Sequence, residues 1–257
     1  MKKYFLFLGM LFLLCISAQY LIGEENKNVL FQNSTLNALM AGNYDGTISC
    51  DELASKGDFG VGTFNQLDGE MVLLEGVFYK IGADGKIAEV EKSEKSPFAT
   101  LTFFKSNKSF KAKKEMGLRQ LQRYINNNIP TKNIIYALKI EGTFEYIKVR
   151  SVPKQEKPYK KLSEITKKEP VFEFSKIKGF LIGFRFPEFM DGINFPGYHF
   201  HFISDDKKVG GHLLDVALRE AKIEIENIND FQLEFPQSKE FYRLDLTKTS
   251  ESKEEKK

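Results

Sequence analysis

The three histidines of this 257-residue chain all lie within one 14-residue segment. His199 and His201 are two residues apart, so on a β-strand both side chains point to the same face of the sheet. Phe200 and Phe202 then point to the opposite face, as expected above a hydrophobic core. The alternation predicts a half-buried strand that carries two imidazoles on one side, with His212 following a short distance along the chain.

The residues between His201 and His212 predict that these two histidines lie opposite each other. Residues 205–208 are two aspartates followed by two lysines, a polar run that favours a turn. A symmetric hairpin centred on that run pairs His201 with His212, and the Cβ atoms of paired residues are about 5 Å apart. His199 becomes the diagonal neighbour of His212. The sequence therefore predicts three imidazoles on one face of one β-hairpin.

This arrangement is typical of a divalent metal site, because neutral imidazole is the commonest metal ligand at physiological pH. Three protein ligands leave a coordination position for water or substrate, which is characteristic of catalytic zinc. We therefore predict that His199, His201 and His212 bind zinc, and nickel, manganese or iron would also suit these ligands. The competing interpretations are three histidines without a metal and a purely structural metal.

The composition limits the other possibilities. The chain has two cysteines, too few for a disulfide scaffold or a four-thiolate zinc site. Cys50 has no evident partner and is interpreted as a small buried residue. The 38 Lys and Arg nearly balance the 35 Asp and Glu, for a formal net charge of +3. Because positive and negative charges are so nearly equal in number, nucleic-acid binding is not expected to be the main activity.

Residues 1–18 are predicted to be an export signal. Lys2 and Lys3 precede an uncharged apolar run, and Ser17 and Ala18 provide a small-residue cleavage site. The run is shorter than the about 20 apolar residues that a membrane-spanning helix needs. We expect an exported protein, extracellular or periplasmic, with no membrane attachment after the signal is removed. Lipidation at Cys15 is disfavoured because a large leucine precedes it.

The remaining chain predicts an α+β protein with mixed or antiparallel sheets in two strand-rich halves. We place an N-terminal half at 19–152, a C-terminal metal-binding half at 153–246 and a polar tail at 247–257. Strand-like runs at 134–141 and 143–149 are separated by Gly142. The metal site is expected on a β-hairpin of the C-terminal half.

Several sequence blocks together resemble the alpha-acetolactate decarboxylase family. The residues that carry the resemblance extend over 33–246, nearly the whole chain after the signal. They are the blocks 57–70, 100–104, 153–159, 170–174, 196–206 and 210–215, the last two of which contain the histidines.

The resemblance implies a zinc enzyme that converts 2-acetolactate to acetoin and carbon dioxide through a metal-stabilised enediolate. It makes the three histidines the metal ligands, Glu70 an active-site glutamate and Arg150 an active-site arginine. The family also uses a glutamate near the C-terminus. Here the candidate is Glu254, with Glu251 and Glu255 left open.

The resemblance also implies that Thr63 lines the pocket and that the protein is a homodimer. In this scheme Arg150 binds the carboxylate of a small 2-hydroxy-3-oxo acid, and Glu70 carries a proton. The alternative function is a secreted, non-catalytic metal- or ligand-binding module on the same scaffold. A cupin-like metal enzyme is disfavoured, because no glutamate follows His201 until Glu220.

Overall fold

The computed structural model of the protein describes residues 28–247. The predicted export signal and residues 248–257 of the predicted tail lie outside this range. The described chain forms two large β-sheets and one small two-stranded sheet. None of the helices in 28–247 is both long enough and apolar enough to cross a bilayer.

The longest elements are three strands within residues 135–228, and the elements before and after them are shorter. The α-helices are α1 (Leu36–Met40), α2 (Cys50–Ala54), α3 (Leu118–Asn126), α4 (Leu162–Ile165) and α5 (Lys239–Tyr242). The strands are β1 (Val29–Asn33), β2 (Ile48–Ser49), β3 (Phe59–Thr63), β4 (Glu70–Leu74), β5 (Val77–Ile81), β6 (Ile87–Glu89), β7 (Lys95–Ser96), β8 (Phe98–Thr102), β9 (Lys108–Ala112), β10 (Met116–Gly117), β11 (Ile135–Arg150), β12 (Val171–Phe186), β13 (Gly197–Ser204), β14 (Gly210–Ile228) and β15 (Asp230–Glu234).

The first large sheet has the order β15-β1-β8-β3-β4-β5-β6. All neighbours in it are antiparallel except β1 and β15, which are parallel. Its inner face packs on the second large sheet through a shared apolar core. Phe59 and Val72 come from the first sheet, and Ile182 and Phe184 come from the second.

The second large sheet is antiparallel, with the order β10-β14-β11-β12-β13, and β9 also pairs with β14. Because β13 and β14 pair as well, β11, β12, β13 and β14 form a closed circuit of hydrogen-bonded neighbours. A second core contains Phe200 and Phe202 together with Leu121 of α3. The two phenylalanines therefore face the core, as the alternation around the histidines predicted.

This architecture confirms the predicted fold class. The second sheet takes β9, β10 and β11 from before residue 152, and the first sheet takes β15 from after it. The division into two halves at that residue stays a prediction about domains. The predicted runs 134–141 and 143–149 are one continuous strand, β11.

Glycine explains why β11 continues through the predicted break. Gly142 pairs with Gly179 of β12. A Cβ added at Gly142 would lie 2.9 Å from the Ala221 side chain of β14 and even closer to the Glu220 carbonyl oxygen. The residue therefore permits a close approach of neighbouring strands and does not end its own strand.

Candidate metal centre and active site

The histidine hairpin has the register that the sequence predicted. His201 of β13 pairs directly with His212 of β14. The turn is closed by the Ser204 amide, which donates to the Val209 carbonyl at 2.9 Å. Lys207 within the turn adopts a positive φ of 56°. The prediction from local sequence, that all three imidazoles lie on one face of the hairpin, is therefore confirmed.

A glycine on the neighbouring strand sets the position of the hairpin. Gly183 of β12 pairs with Phe200. A Cβ added at Gly183 would lie 2.9 Å from the Phe200 Cα and closer still to the His199 carbonyl oxygen. The strand that carries His199 thus lies closer to β12 than a side chain at position 183 would allow.

The imidazole nitrogens fit a metal ion. Nδ1 of His201 lies 2.8 Å from the Met71 carbonyl oxygen, and since a carbonyl only accepts, Nδ1 carries the proton. The lone pair is then on Nε2, which is buried and has no hydrogen-bond partner. Nε2 of His199 and Nδ1 of His212 are 3.2 Å apart. Two nitrogens at usual zinc distances on one tetrahedral ion would be about 3.3 Å apart.

One ligand atom from each histidine lies within 4.8 Å of the others, so the three can share an ion. Burial lowers the pKa of His201 to about 4, with Arg150 adding to the effect and the Met71 carbonyl opposing it. Burial, followed by the neighbouring imidazoles, holds the pKa of His199 and of His212 well below the usual range. All three imidazoles are therefore neutral at pH 7, the form that binds metal.

Glu70 is the first residue of β4 and lies on the first sheet, facing the hairpin. Its Oε2 is 3.3 Å from Nε2 of His201. Burial, with a further contribution from the Glu169 carboxylate, raises the pKa of Glu70 to about 8, and Arg150 opposes the shift. At pH 7 the contact therefore joins two neutral groups and is not an ion pair. A divalent cation bound beside Glu70 would lower this pKa.

Arg150 is the last residue of β11 and pairs with His212 of β14 on one side. Its Nε lies 3.1 Å from Oε2 of Glu169, a residue that sequence reasoning did not select. Nothing in the local pattern distinguishes Glu169, which follows two lysines in a polar passage. The only feature of the sequence that could have pointed to Glu169 is its position directly before residues 170–174, one of the blocks that resemble the family.

These groups line one cavity between the two sheets. The Thr63 hydroxyl also lies there and donates to the Gly69 carbonyl at 2.7 Å. The lining residues are Leu39, Gly62, Thr63, Leu67, Glu70, Phe98, Arg150, Val152, Leu162, Thr166, Glu169, Phe195, His199, His201 and His212. The structure thus brings together the predicted ligands, Glu70, Arg150 and Thr63, whose roles stay predictions. Glu254, Glu251 and Glu255 lie outside the described residues.

The sequence profile of the family described as alpha-acetolactate decarboxylase matches residues 30–248. A relative from Methanosarcina mazei with that name is 41% identical over 225 residues, which cover 88% of this chain and 78% of the relative. A relative from Bacillus subtilis with the same name is 35% identical, over 87% of this chain and 89% of its own length.

Solved structures show the same likeness. The crystal structure of alpha-acetolactate decarboxylase from Bacillus subtilis strain 168 has a TM-score of 0.86 at 35% identity and covers 88% of this chain and 96% of that one. A Staphylococcus aureus protein, described as of unknown function and similar to alpha-acetolactate decarboxylase, has a TM-score of 0.84 at 34% identity. It covers 89% of this chain and 99% of that one.

Proposed function

This chain belongs to the alpha-acetolactate decarboxylase family, and we propose that it converts 2-acetolactate to acetoin and carbon dioxide at a zinc ion bound by the histidine hairpin. It is an enzyme of the carboxy-lyase class. The observation that carries the proposal is the meeting of three neutral imidazoles, a buried carboxyl group and a guanidinium in one cavity. The alternative, a non-catalytic metal-binding module, is not favoured by the comparisons.

In the proposed mechanism His199, His201 and His212 hold the metal, whose Lewis acidity would stabilise the negative charge that develops as the carbon–carbon bond breaks. Arg150 binds the substrate carboxylate through its guanidinium, which suits a planar, two-oxygen anion. This contact holds the carboxylate in one orientation until it leaves as carbon dioxide. The electron pair of the broken bond stays on the adjacent carbon.

Glu70 then supplies the proton that this carbon needs. One substrate anion and one proton give one acetoin and one carbon dioxide, so Glu70 must regain a proton from solvent after each turnover. Its buried position makes the protonated form available near neutral pH. The apolar side chains of Val152, Leu162 and Phe195 line the same cavity and limit access of water to the reacting carbon.

The experiment that tests the function measures acetoin release from 2-acetolactate and metal content on the same sample. We expect a chelator to remove the metal and abolish turnover, and added zinc to restore both. Full turnover by the metal-free protein would contradict the mechanism. Bound metal without any acetoin or carbon dioxide release would instead support the metal-binding module.

Parts of the proposal concern residues outside the described range. Deletion of residues 248–257 is expected to lower kcat at least tenfold while metal content stays unchanged, because the family resemblance implies that a glutamate near the C-terminus enters the site. Single changes to glutamine at Glu251, Glu254 and Glu255 would identify the residue. An unchanged kcat for the deletion would remove the tail from the mechanism.

Export and dimerisation complete the proposal. Cleavage of the predicted signal gives a mature N-terminus near residue 19, which intact-mass measurement of the secreted protein would detect. The homodimer implied by the family resemblance is checked by sedimentation of the purified enzyme.

A further inference from the structure

We propose that Glu169 is a positioning residue that holds Arg150 with its two terminal nitrogens directed at the substrate carboxylate. The proposal rests on the function above and deepens it, because it makes the Arg150–Glu169 pair the element that selects for a carboxylate. Glu169 acts through Arg150 and does not touch the reacting atoms.

Strand pairing brings the two residues together. Arg150 ends β11 opposite Val171, the first residue of β12. One step further along, the Ser151 amide donates to the Pro170 carbonyl at 3.2 Å. Glu169 directly precedes Pro170 and therefore lies beside Arg150 where the pairing of β11 with β12 ends.

The contact uses the inner nitrogen of the guanidinium. Nε of Arg150 is 3.1 Å from Oε2 of Glu169, although the angle is not that of a hydrogen bond, so the two form a close ion pair. Nε of Arg150 has no hydrogen-bond partner among residues 28–247. The guanidinium also carries two terminal nitrogens, and such a pair of donors can bind a carboxylate with two parallel hydrogen bonds.

Glu169 is almost fully enclosed, with a side chain only 1% exposed against 27% for Arg150. Both of its carboxylate oxygens are buried and lack a hydrogen bond from any donor in the described chain. Buried Glu226, which does not line the cavity, instead accepts a hydrogen bond from the Lys105 amide at 3.2 Å. A buried carboxylate without such donors is costly unless a charge compensates it. Here the compensating charge is Arg150.

Electrostatics and positioning predict opposite effects of removing the Glu169 charge. If the carboxylate only adds negative potential, it repels an anionic substrate, and its neutralisation should tighten binding of carboxylates. If it positions Arg150, its neutralisation releases the guanidinium to other rotamers, and binding of carboxylates should weaken. A ligand without a carboxylate should respond little in the second case.

The experiment measures binding by calorimetry on the zinc-loaded protein with two probes. 2-Hydroxy-2-methylbutanoate carries the carboxylate and hydroxyl but no ketone, and acetoin carries the hydroxyl and ketone but no carboxylate. We expect Glu169→Gln to weaken binding of the first about tenfold and to leave acetoin within about twofold. Glu164→Gln, an exposed glutamate on α4 of the same chain segment, is the matched control and should change neither.

Two further variants complete the test. Glu169→Asp keeps the charge but withdraws the carboxylate by one methylene, and it should also weaken binding of the carboxylate probe. In an Arg150→Gln background, Glu169→Gln should have no further effect on that probe. Tighter binding of the carboxylate probe, an equal loss for both probes, or an undiminished effect without Arg150 would each overturn the proposal.

These outcomes separate the inference from the proposed function. Binding of the probes does not require turnover, so a wild-type protein that binds both but releases no acetoin would contradict the function and leave the role of Glu169 intact. Metal content and circular dichroism of each variant show that it is folded. If Glu169→Gln does not fold, Glu169→Asp still separates the two explanations, because electrostatics alone predicts unchanged binding of the carboxylate probe and loss of positioning predicts weaker binding.

Discussion

Glu70 illustrates how burial gives a single side chain its chemistry. The carboxyl group is enclosed between the two sheets, and this burial raises its pKa to about 8. The proton donor that we propose Glu70 to be must hold a proton at neutral pH and then release it, and this needs a pKa in that range. A bound divalent cation would shift the value downwards and bring it closer to neutrality.

We predict that Glu70→Gln retains the metal and loses turnover. The amide keeps the shape of the side chain but cannot deliver a proton, so kcat should fall by about 100-fold or more. Measured acetoin formation and zinc content on the same preparation test this. The matched control is Glu89→Gln, an exposed residue of the same sheet. Unchanged kcat in Glu70→Gln would make Glu70 a structural residue.

We make a second prediction for Glu226, which concerns the free energy of unfolding. Burial raises its pKa to about 7, the nearby Asp58 charge adds to the shift, and the Lys105 amide opposes it. A raised carboxyl pKa means that the folded state binds more protons, so the free energy of unfolding falls as pH rises from about 4.5 to 7. Glu226→Gln removes this cost and should stabilise the protein by about 1–3 kcal/mol at pH 8.

Urea unfolding at pH 5 and pH 8 measures the effect. The gain should be largest at pH 8 and small at pH 5, where Glu226 is mostly protonated in the folded protein. Glu220→Gln, on the same strand but exposed, serves as the control. A loss of stability at pH 8 would show that the folded state depends on the Glu226 charge.

The residues of the site differ in how far sequence predicted them. The three histidines were placed by local rules, since a strand alternates every second residue and a symmetric turn pairs His201 with His212. Glu70 and Arg150 approach the hairpin from other strands, and only the family resemblance singled them out. Glu169, for which we propose a positioning role, was missed because it meets Arg150 through a contact between distant parts of the chain, which no local pattern records.

At the scale of elements, the position of β13 depends on Gly183, a residue of β12 that has no side chain. Gly183→Ala would place a methyl group against the His199 carbonyl and the Phe200 Cα. Because backbone cannot move aside cheaply, we expect a loss of about 2–4 kcal/mol in stability. The displaced hairpin should also bind zinc at least about tenfold more weakly, because small shifts of a ligand set lower affinity.

Gly117→Ala provides the comparison, since a methyl group there meets nothing nearer than the Val216 carbonyl at 3.7 Å. It should cost less than about 1 kcal/mol and leave zinc affinity unchanged. Chemical unfolding and competition with a zinc indicator measure the two quantities. Equal effects of both substitutions would show that close packing at Gly183 does not position the metal site.

The long strands show where sequence reasoning about elements was limited. Gly142 was interpreted as separating two runs, because glycine often interrupts a strand pattern. The structure shows one strand passing through Gly142, which pairs with Gly179 on β12. Whether a glycine ends a strand or admits a neighbour depends on which strands lie beside it. That information comes from topology, and the alternation of apolar residues predicted only that strands exist.

At the scale of the whole molecule, the site joins the two large sheets. The second sheet supplies the three histidines, and the first supplies Glu70 and the Met71 carbonyl that fixes His201. Metal binding should therefore stabilise the folded protein as a unit. At zinc concentrations about 1,000-fold above Kd, mass action predicts about 4 kcal/mol, which for a protein of this size corresponds to on the order of 10 °C in Tm.

We expect chelation to lower the Tm of the wild-type protein by that amount. His201→Ala should have a Tm that does not respond to the chelator, because one ligand of the site is gone. Calorimetric scans of both proteins with and without chelator test this. A chelator effect of the same size in His201→Ala would show that zinc stabilises the protein at some other place.

The parallel pairing of β1 with β15 ties the beginning of the described chain to its end. A ribosome synthesises β1 almost two hundred residues before it synthesises β15. Until residues 230–234 emerge, β1 is the edge strand of the first sheet, a position that β15 takes when it pairs with β1. The histidine hairpin precedes that last strand, so all three histidines have been synthesised before this sheet is complete. A chain that stopped before residue 230 would therefore keep all three histidines and lack the strand that pairs with β1.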